Sequence, residues 1–214
     1  MTGGTEDGQG VTETVRPMLI QIEHLFAGMK SDLEGDKFWR YQRAISPGLQ
    51  EYVEALSFAH YLTYDSLIAW KEVQDRLSDE SGIPVRCLPF LALHVSRVTT
   101  CARIVPLCLR QTATDKEHVL SSHPDRTQYF PLPIEDYLLG VSDLTGELMR
   151  YAIAGIPRKG GRATANTVCT FVRQCKADFG TLTPHSRELA KKQRVTVESL
   201  HKIEDGALHR HTFI

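Results

Sequence analysis

With 214 residues, 42% of them hydrophobic and 24% charged, the chain can bury a sizeable core as one large domain or two small ones. A net charge of −1 excludes a bulk polycation for nucleic acid while leaving room for a local basic patch. The five cysteines, Cys87, Cys101, Cys108, Cys169 and Cys175, are odd in number and contain no Cys-x-x-Cys pair, a pattern of reduced thiols rather than of a disulfide framework.

Residues 1–11 are polar and Gly-rich, resemble neither a signal nor a transit peptide, and are expected to be disordered. From Thr12 a helical stripe begins, with Val15, Met18, Leu19, Ile22, Leu25, Phe26 and Met29 at 3.6 spacing. Pro17 sets the expected helix start near Arg16. Leu33 to Asp36 breaks the stripe. The segment Lys37 to Arg43 then carries Lys37, Arg40 and Arg43 three apart, with Trp39 and Tyr41 between them. It reads either as a phosphate-contacting face with stacking aromatics or as a solvated face with core aromatics. A helix is expected from Ser46, as N-cap, with Pro47 at its first position, to Tyr61. Glu51 and Glu54 stand i, i+3 on it, on one face and amid apolar surface. After a turn at Thr63 to Asp65, a second amphipathic stretch runs through Leu67, Ile68, Trp70, Val73 and Leu77 into the polar loop Ser78 to Gly82.

Residues 83–130 are unlike the rest. From Ile83 to Thr114 there are four arginines and no acid, with prolines at 84, 89 and 106, and the pattern fits neither a helical nor an alternating template. The stretch reads as an irregular insertion, foreign to the surrounding pattern. Its apolar run from about Cys87 to Val95 is too short to span a bilayer. His118 and His123 with Cys101 and Cys108 match no usual zinc spacing. Pro131 to Asp136 restores order, and the helix Tyr137 to Ile153 is apolar almost all round, which argues burial. It carries Asp143 and Glu147 at i, i+4, and its Gly140 and Gly146 suggest close helix approach. Asp136 is placed at the helix start, where an acid suits the dipole. The basic Gly-rich turn Ile156 to Arg162 precedes a helix with Val168, Phe171, Val172 and Cys175 facing inward. A last helix is expected from Arg187 to about Asp205, followed by an irregular tail at 208–214.

Two buried-type helices thus carry two acids each. Packed antiparallel, they make a cage of Glu51, Glu54, Asp143 and Glu147, unless basic side chains neutralise these acids instead. Hard oxygen ligands favour Mg²⁺ or Mn²⁺. His60 is six residues past Glu54, so the Glu-x-x-His signature of diiron helices is missing.

Gly48-Leu-Gln-Glu-Tyr-Val-Glu-Ala-Leu-Ser-Phe58 and Asp136-Tyr-Leu-Leu-Gly-Val-Ser-Asp-Leu-Thr-Gly-Glu-Leu-Met-Arg150 resemble the two signature segments of the translin family. The Asp-Leu-Thr-Gly-Glu run is similar to the translin-associated factor X branch rather than to translin itself. The likeness extends less sharply over 16–80 and 131–207, including Glu198 to Asp205. It implies an all-α fold, an antiparallel seven-helix bundle or α-superhelix over about 12–207, interrupted at 83–130. It further implies assembly with translin into a closed hetero-oligomeric shell. That shell is a Mg²⁺-dependent endoribonuclease of single-stranded or nicked RNA, which removes passenger strands in RNA silencing and processes tRNA fragments. Binding of DNA and a cytoplasmic and nuclear location belong to the same expectation. Glu51, Glu54 and Asp143 are the implied catalytic acids and metal ligands, with Glu147 a fourth metal donor and Lys37, Arg40 and Arg43 on nucleic acid. The alternative is a non-catalytic, nucleic-acid-binding adaptor of translin. The chain departs from the family pattern in lacking its long basic first helix, in the 83–130 insertion, and in the Gly206 to His211 ending. The missing ends are expected to expose apolar surface and favour reliance on a partner.

Overall fold

Apolar residues at helical spacing become helices throughout a computed structural model that describes residues 6–79 and 127–208, with side chains over 15–78 and 128–207. The first helix, α1, spans Glu6–Gly28 and contains Pro17. It starts before the expected position near Arg16, so residues 6–11 are helical rather than disordered. Extending a helix from an already packed segment avoids the nucleation cost, and Leu19 and Phe26 supply that packing. Met18 and Leu25, assigned to the same stripe, are 59% and 69% exposed.

Asp36–Tyr64 forms one helix, α2, of 29 residues, about 43 Å long at 1.5 Å per residue. Pro47 lies inside it, and no separate helix begins at Ser46. An interior proline costs about 3 kcal/mol. Here Phe38 on one side of it and Leu49 on the other are both buried in the same core, and a break would release one of them. The helix ends where Asp65 turns left-handed at φ 52° and donates its N–H to the Tyr61 carbonyl at 2.8 Å.

Helix α3, Trp70–Arg76, serves as a clamp. The buried Gln74 donates to the Phe130 carbonyl at 3.1 Å and accepts from the Leu132 N–H at 2.6 Å. The Trp70 indole donates to the Leu132 carbonyl at 3.1 Å. Strands β1, Ser78–Asp79, and β2, Thr127–Gln128, pair antiparallel and are the only sheet among the described residues. They hold positions 79 and 127 side by side. Residues 80–126, with most of the expected insertion and the four histidine and cysteine residues weighed for zinc, lie outside the described residues. The last four residues of that expected insertion belong to the fold. Phe130 is 3% exposed, stacked on Phe38 at 5.5 Å and edge-on to Phe26 at 5.7 Å.

The remaining helices are α4, Ile134–Gly155, α5, Gly161–Leu182, and α6, Arg187–Leu208. A Cβ at Gly161 would lie 1.9 Å from the Gly155 carbonyl, and Gly160 takes φ +81°, so only glycines allow the tight α4–α5 turn. Ser186 caps α6 through the Leu189 N–H at 3.3 Å. Six helices among the described residues make an all-α fold, and none of them is long and apolar enough to cross a membrane. Helix α4 is central, packed on α2, α5 and α6. The two acid-bearing helices, expected antiparallel, run parallel: Ser46 meets Asp136, Val53 meets Gly140 and Phe58 meets Tyr151. The long path through α3 and the β neck provides the return that parallel neighbours need. Helices α4 and α6 are also parallel, with Glu135 meeting Ser186, Ser142 meeting Gln193 and Thr145 meeting Thr196.

Because β1 and β2 bring positions 79 and 127 side by side, replacing residues 80–126 by Asn-Gly, a two-residue hairpin turn, is expected to preserve helical circular dichroism and cooperative melting. Loss of the folded state would show the segment to be part of the core. The two α4 glycines should differ. A Cβ at Gly140 would meet the Gln50 carbonyl at 2.6 Å and Val53 at 2.7 Å, whereas Gly146 has open space. In urea unfolding, Gly140→Ala should cost about 1–3 kcal/mol and Gly146→Ala should gain up to about 1 kcal/mol.

Candidate functional site

The site is built by the register of α2 against α4. Asp136 lies in the first turn of α4 and is 3% exposed. It accepts hydrogen bonds from Ser46 Oγ at 2.9 Å and Gln50 Nε2 at 2.8 Å. Burial raises its pKa, and these bonds offset only part of the rise. It therefore does more than suit the helix dipole: it pins the two helices together. One turn on, Gly140 has no side chain and lets α4 lie directly against Gln50 and Val53. The next turn of α2 presents Glu54 to Asp143 and Glu147 of α4, which act on it electrostatically.

Glu54 is half-buried, and its pKa is pushed up to about 7, first by burial, then by the negative charges of Asp143 and Glu147; Lys192 and Arg150 pull it back. Asp143 is ion-paired with Lys192 of α6, and Glu147 with Arg150 at 2.6 Å. Glu51, one turn before Glu54, is exposed. Three of the four expected carboxylates thus form one electrostatic group, and Glu51 faces solvent. Among the described residues no three His, Cys, Asp or Glu side chains converge closely enough to hold a metal as they stand. In chemistry the donors fit a hard dication. They are carboxylates only, and Glu54, raised first by burial and then by the charges of Asp143 and Glu147, is an acid that a nearby positive charge would relieve. The ammonium on Asp143 stands where such a cation would add its charge.

Lys37, Arg40 and Arg43 are all exposed near the start of α2. Trp39 is 59% and Tyr41 50% exposed, so these aromatics are surface groups and not core. Arg43 precedes Glu54 by eleven residues, about three turns and roughly 16 Å, which puts both on nearly one face of the helix. The residues that sequence reasoning missed are Lys192 and Arg150. Arg150 is legible from its i, i+3 spacing to Glu147. Nothing local marks Lys192, which reaches Asp143 from another helix.

A model of the translin family matches residues 5–211 of the chain. Over 206 residues the chain is 30% identical to translin-associated protein X of Rattus norvegicus, covering 94% of this chain and 58% of that protein. The Mus musculus protein of the same name is 29% identical over the same shares. That of Pongo abelii is 32% identical over 181 residues, 82% of this chain and 52% of the relative. The chain therefore spans a little over half the length of the curated relatives it matches.

The raised Glu54 pKa carries a stability signature. The folded chain holds this proton more tightly than the unfolded one, so stability falls as pH rises from the ordinary 4.5 toward 7. In chelator, Glu54→Gln is expected to exceed the parent by about 1 kcal/mol at pH 8, a figure discounted for solvent screening. The gap should close near pH 5. Urea denaturation at both pH values measures it, and an equal gap at the two would refute the coupling.

Proposed function

Because the chain belongs to the translin family, we propose that it is the acid-bearing subunit of a translin-containing, Mg²⁺-dependent endoribonuclease acting on single-stranded or nicked RNA. The observation that carries this reading is the gathering of Glu54, Asp143 and Glu147 from two parallel helices, with Glu54 poised near neutrality. Glu54, Asp143 and Glu147 would hold the cation, with Glu51 as an outer donor. Bound there, Mg²⁺ would polarise a phosphoryl oxygen and acidify a water. The cation's charge would hold Glu54 ionised, and a carboxylate beside a metal-bound water suits a general base taking that water's proton. Lys37, Arg40 and Arg43 would hold phosphates of the strand leading to the acids, and Trp39 and Tyr41 would stack its bases, or those of single-stranded DNA. The printed name of the relatives, translin-associated protein X, supports translin as the partner. The cytoplasmic and nuclear location belongs to the same proposal.

A second reading, a non-catalytic nucleic-acid-binding adaptor of translin, draws on the ion pairs. Lys192 and Arg150 already neutralise two of the acids without a metal.

One reconstitution separates the two. In a complex with translin, the parent chain is expected to cleave single-stranded RNA only with Mg²⁺. Glu54→Gln should lower the rate by about 10²-fold or more while leaving assembly and salt-dependent binding intact. Full cleavage by Glu54→Gln would refute the catalytic assignment, and binding without cleavage by the parent would favour the adaptor.

A further inference from the structure

Four cations, Arg187, Lys191, Lys192 and Arg194, lie along the first two turns of α6. Lys191 is exposed and pairs with Glu188 of its own helix, at 2.6 Å, and Arg187 and Arg194 are exposed. Lys192 alone of the four crosses to α4, where its ammonium pairs with Asp143. Its place is held on both sides. Gln193 Nε2 donates to Ser142 Oγ at 3.3 Å, and the Thr145 and Thr196 hydroxyls bond at 3.1 Å. Leu189 and Thr196 are fully buried, so α6 cannot turn to carry Lys192 away without exposing them. The side chain itself keeps an outlet: Lys192 is 27% and Asp143 33% exposed, and a four-carbon stem can withdraw its ammonium into water.

We propose that the Lys192 ammonium is the resident counter-cation of the Glu54, Asp143 and Glu147 group and competes with a divalent metal for Asp143, so that Lys192 sets the metal affinity of the site. The proposal rests on the metal-site reading above. The Lys192 ammonium on Asp143 Oδ2 repels a dication brought to the same carboxylate, so the pair opposes metal binding whether or not it breaks. Lys192 acts through Asp143 and is a positioning residue. Arg150, which sits on Glu147 within α4, does not replace it at Asp143.

The test uses the full chain with Mn²⁺ as the probe. Free Mn²⁺ is counted by electron paramagnetic resonance, and melting is followed in chelator and in Mn²⁺. Lys192→Met should bind Mn²⁺ about tenfold tighter than the parent, equivalent to about 1.4 kcal/mol. It should melt lower than the parent in chelator and regain the difference in Mn²⁺. Lys192→Arg, which keeps the charge, should bind within about threefold of the parent. Lys192→Gln carries the same expectation as Lys192→Met if the methionine variant does not fold. Parent binding with unchanged or weaker binding by the uncharged variants would overturn the role of Lys192 and leave the metal reading standing. No Mn²⁺ binding by any of the variants or the parent would overturn the metal reading, and this inference with it.

Discussion

The burial of one carboxylate governs how this molecule is assembled. A buried, unpaired carboxylate is costly, and Asp136 finds its donors, Ser46 and Gln50, only on α2 and only at one register. Sliding α4 by a turn would strand it and drive the chain at Gly140 into a bulkier part of α2. Gly140 enforces the same register sterically, since any side chain there would strike Gln50 and Val53. Two unlike forces, hydrogen bonding and close packing, thus agree on a single alignment. Everything beyond that alignment follows from counting turns: Glu54 comes to Asp143 and Glu147, and Phe58 to Tyr151.

That alignment creates an electrostatic conflict. Three acids share a half-buried space, and the burden falls on Glu54, the member whose charge is least compensated. Relief comes from two directions. Arg150 answers Glu147 within α4, and Lys192 answers Asp143 from α6. The second answer requires α6 to be held as firmly as α2, which the polar ladder Ser142–Gln193 and Thr145–Thr196 achieves inside an otherwise apolar interface. Buried polar pairs of this kind add little net stability, yet they are specific about register because a mismatch leaves them unsatisfied. The same residues that order the core thereby decide the charge balance of the site.

The β neck solves a separate problem. Many residues separate α3 from α4 in the chain, and the start of α4 must still be fixed for the Asp136 register to hold. The paired strands and the Gln74 clamp on Phe130 and Leu132 fix that start against α3. Phe130 then plugs the gap between Phe26 and Phe38.

Much of this was legible in the residues themselves. Helical periodicity identifies α2, α4, α5 and α6, and spacing puts Glu51 with Glu54, and Asp143 with Glu147, on shared faces, because a 3.6-residue repeat is a local property. The two signature segments identify the family for the same reason, being contiguous in the chain. Local rules misjudged the helix starts. Pro47 reads as a first-turn residue and Ser46 as a cap, but the burial of Phe38 and Leu49 carries α2 through both and frees Ser46 to bind Asp136. They also could not give the direction in which the acid helices run, the exposure of Trp39 and Tyr41, the different surroundings of Gly140 and Gly146, or the arrival of Lys192 at Asp143. Each of these depends on which residues distant in the chain become neighbours in space, and that is settled by the packing of whole helices rather than by the pattern along any one of them.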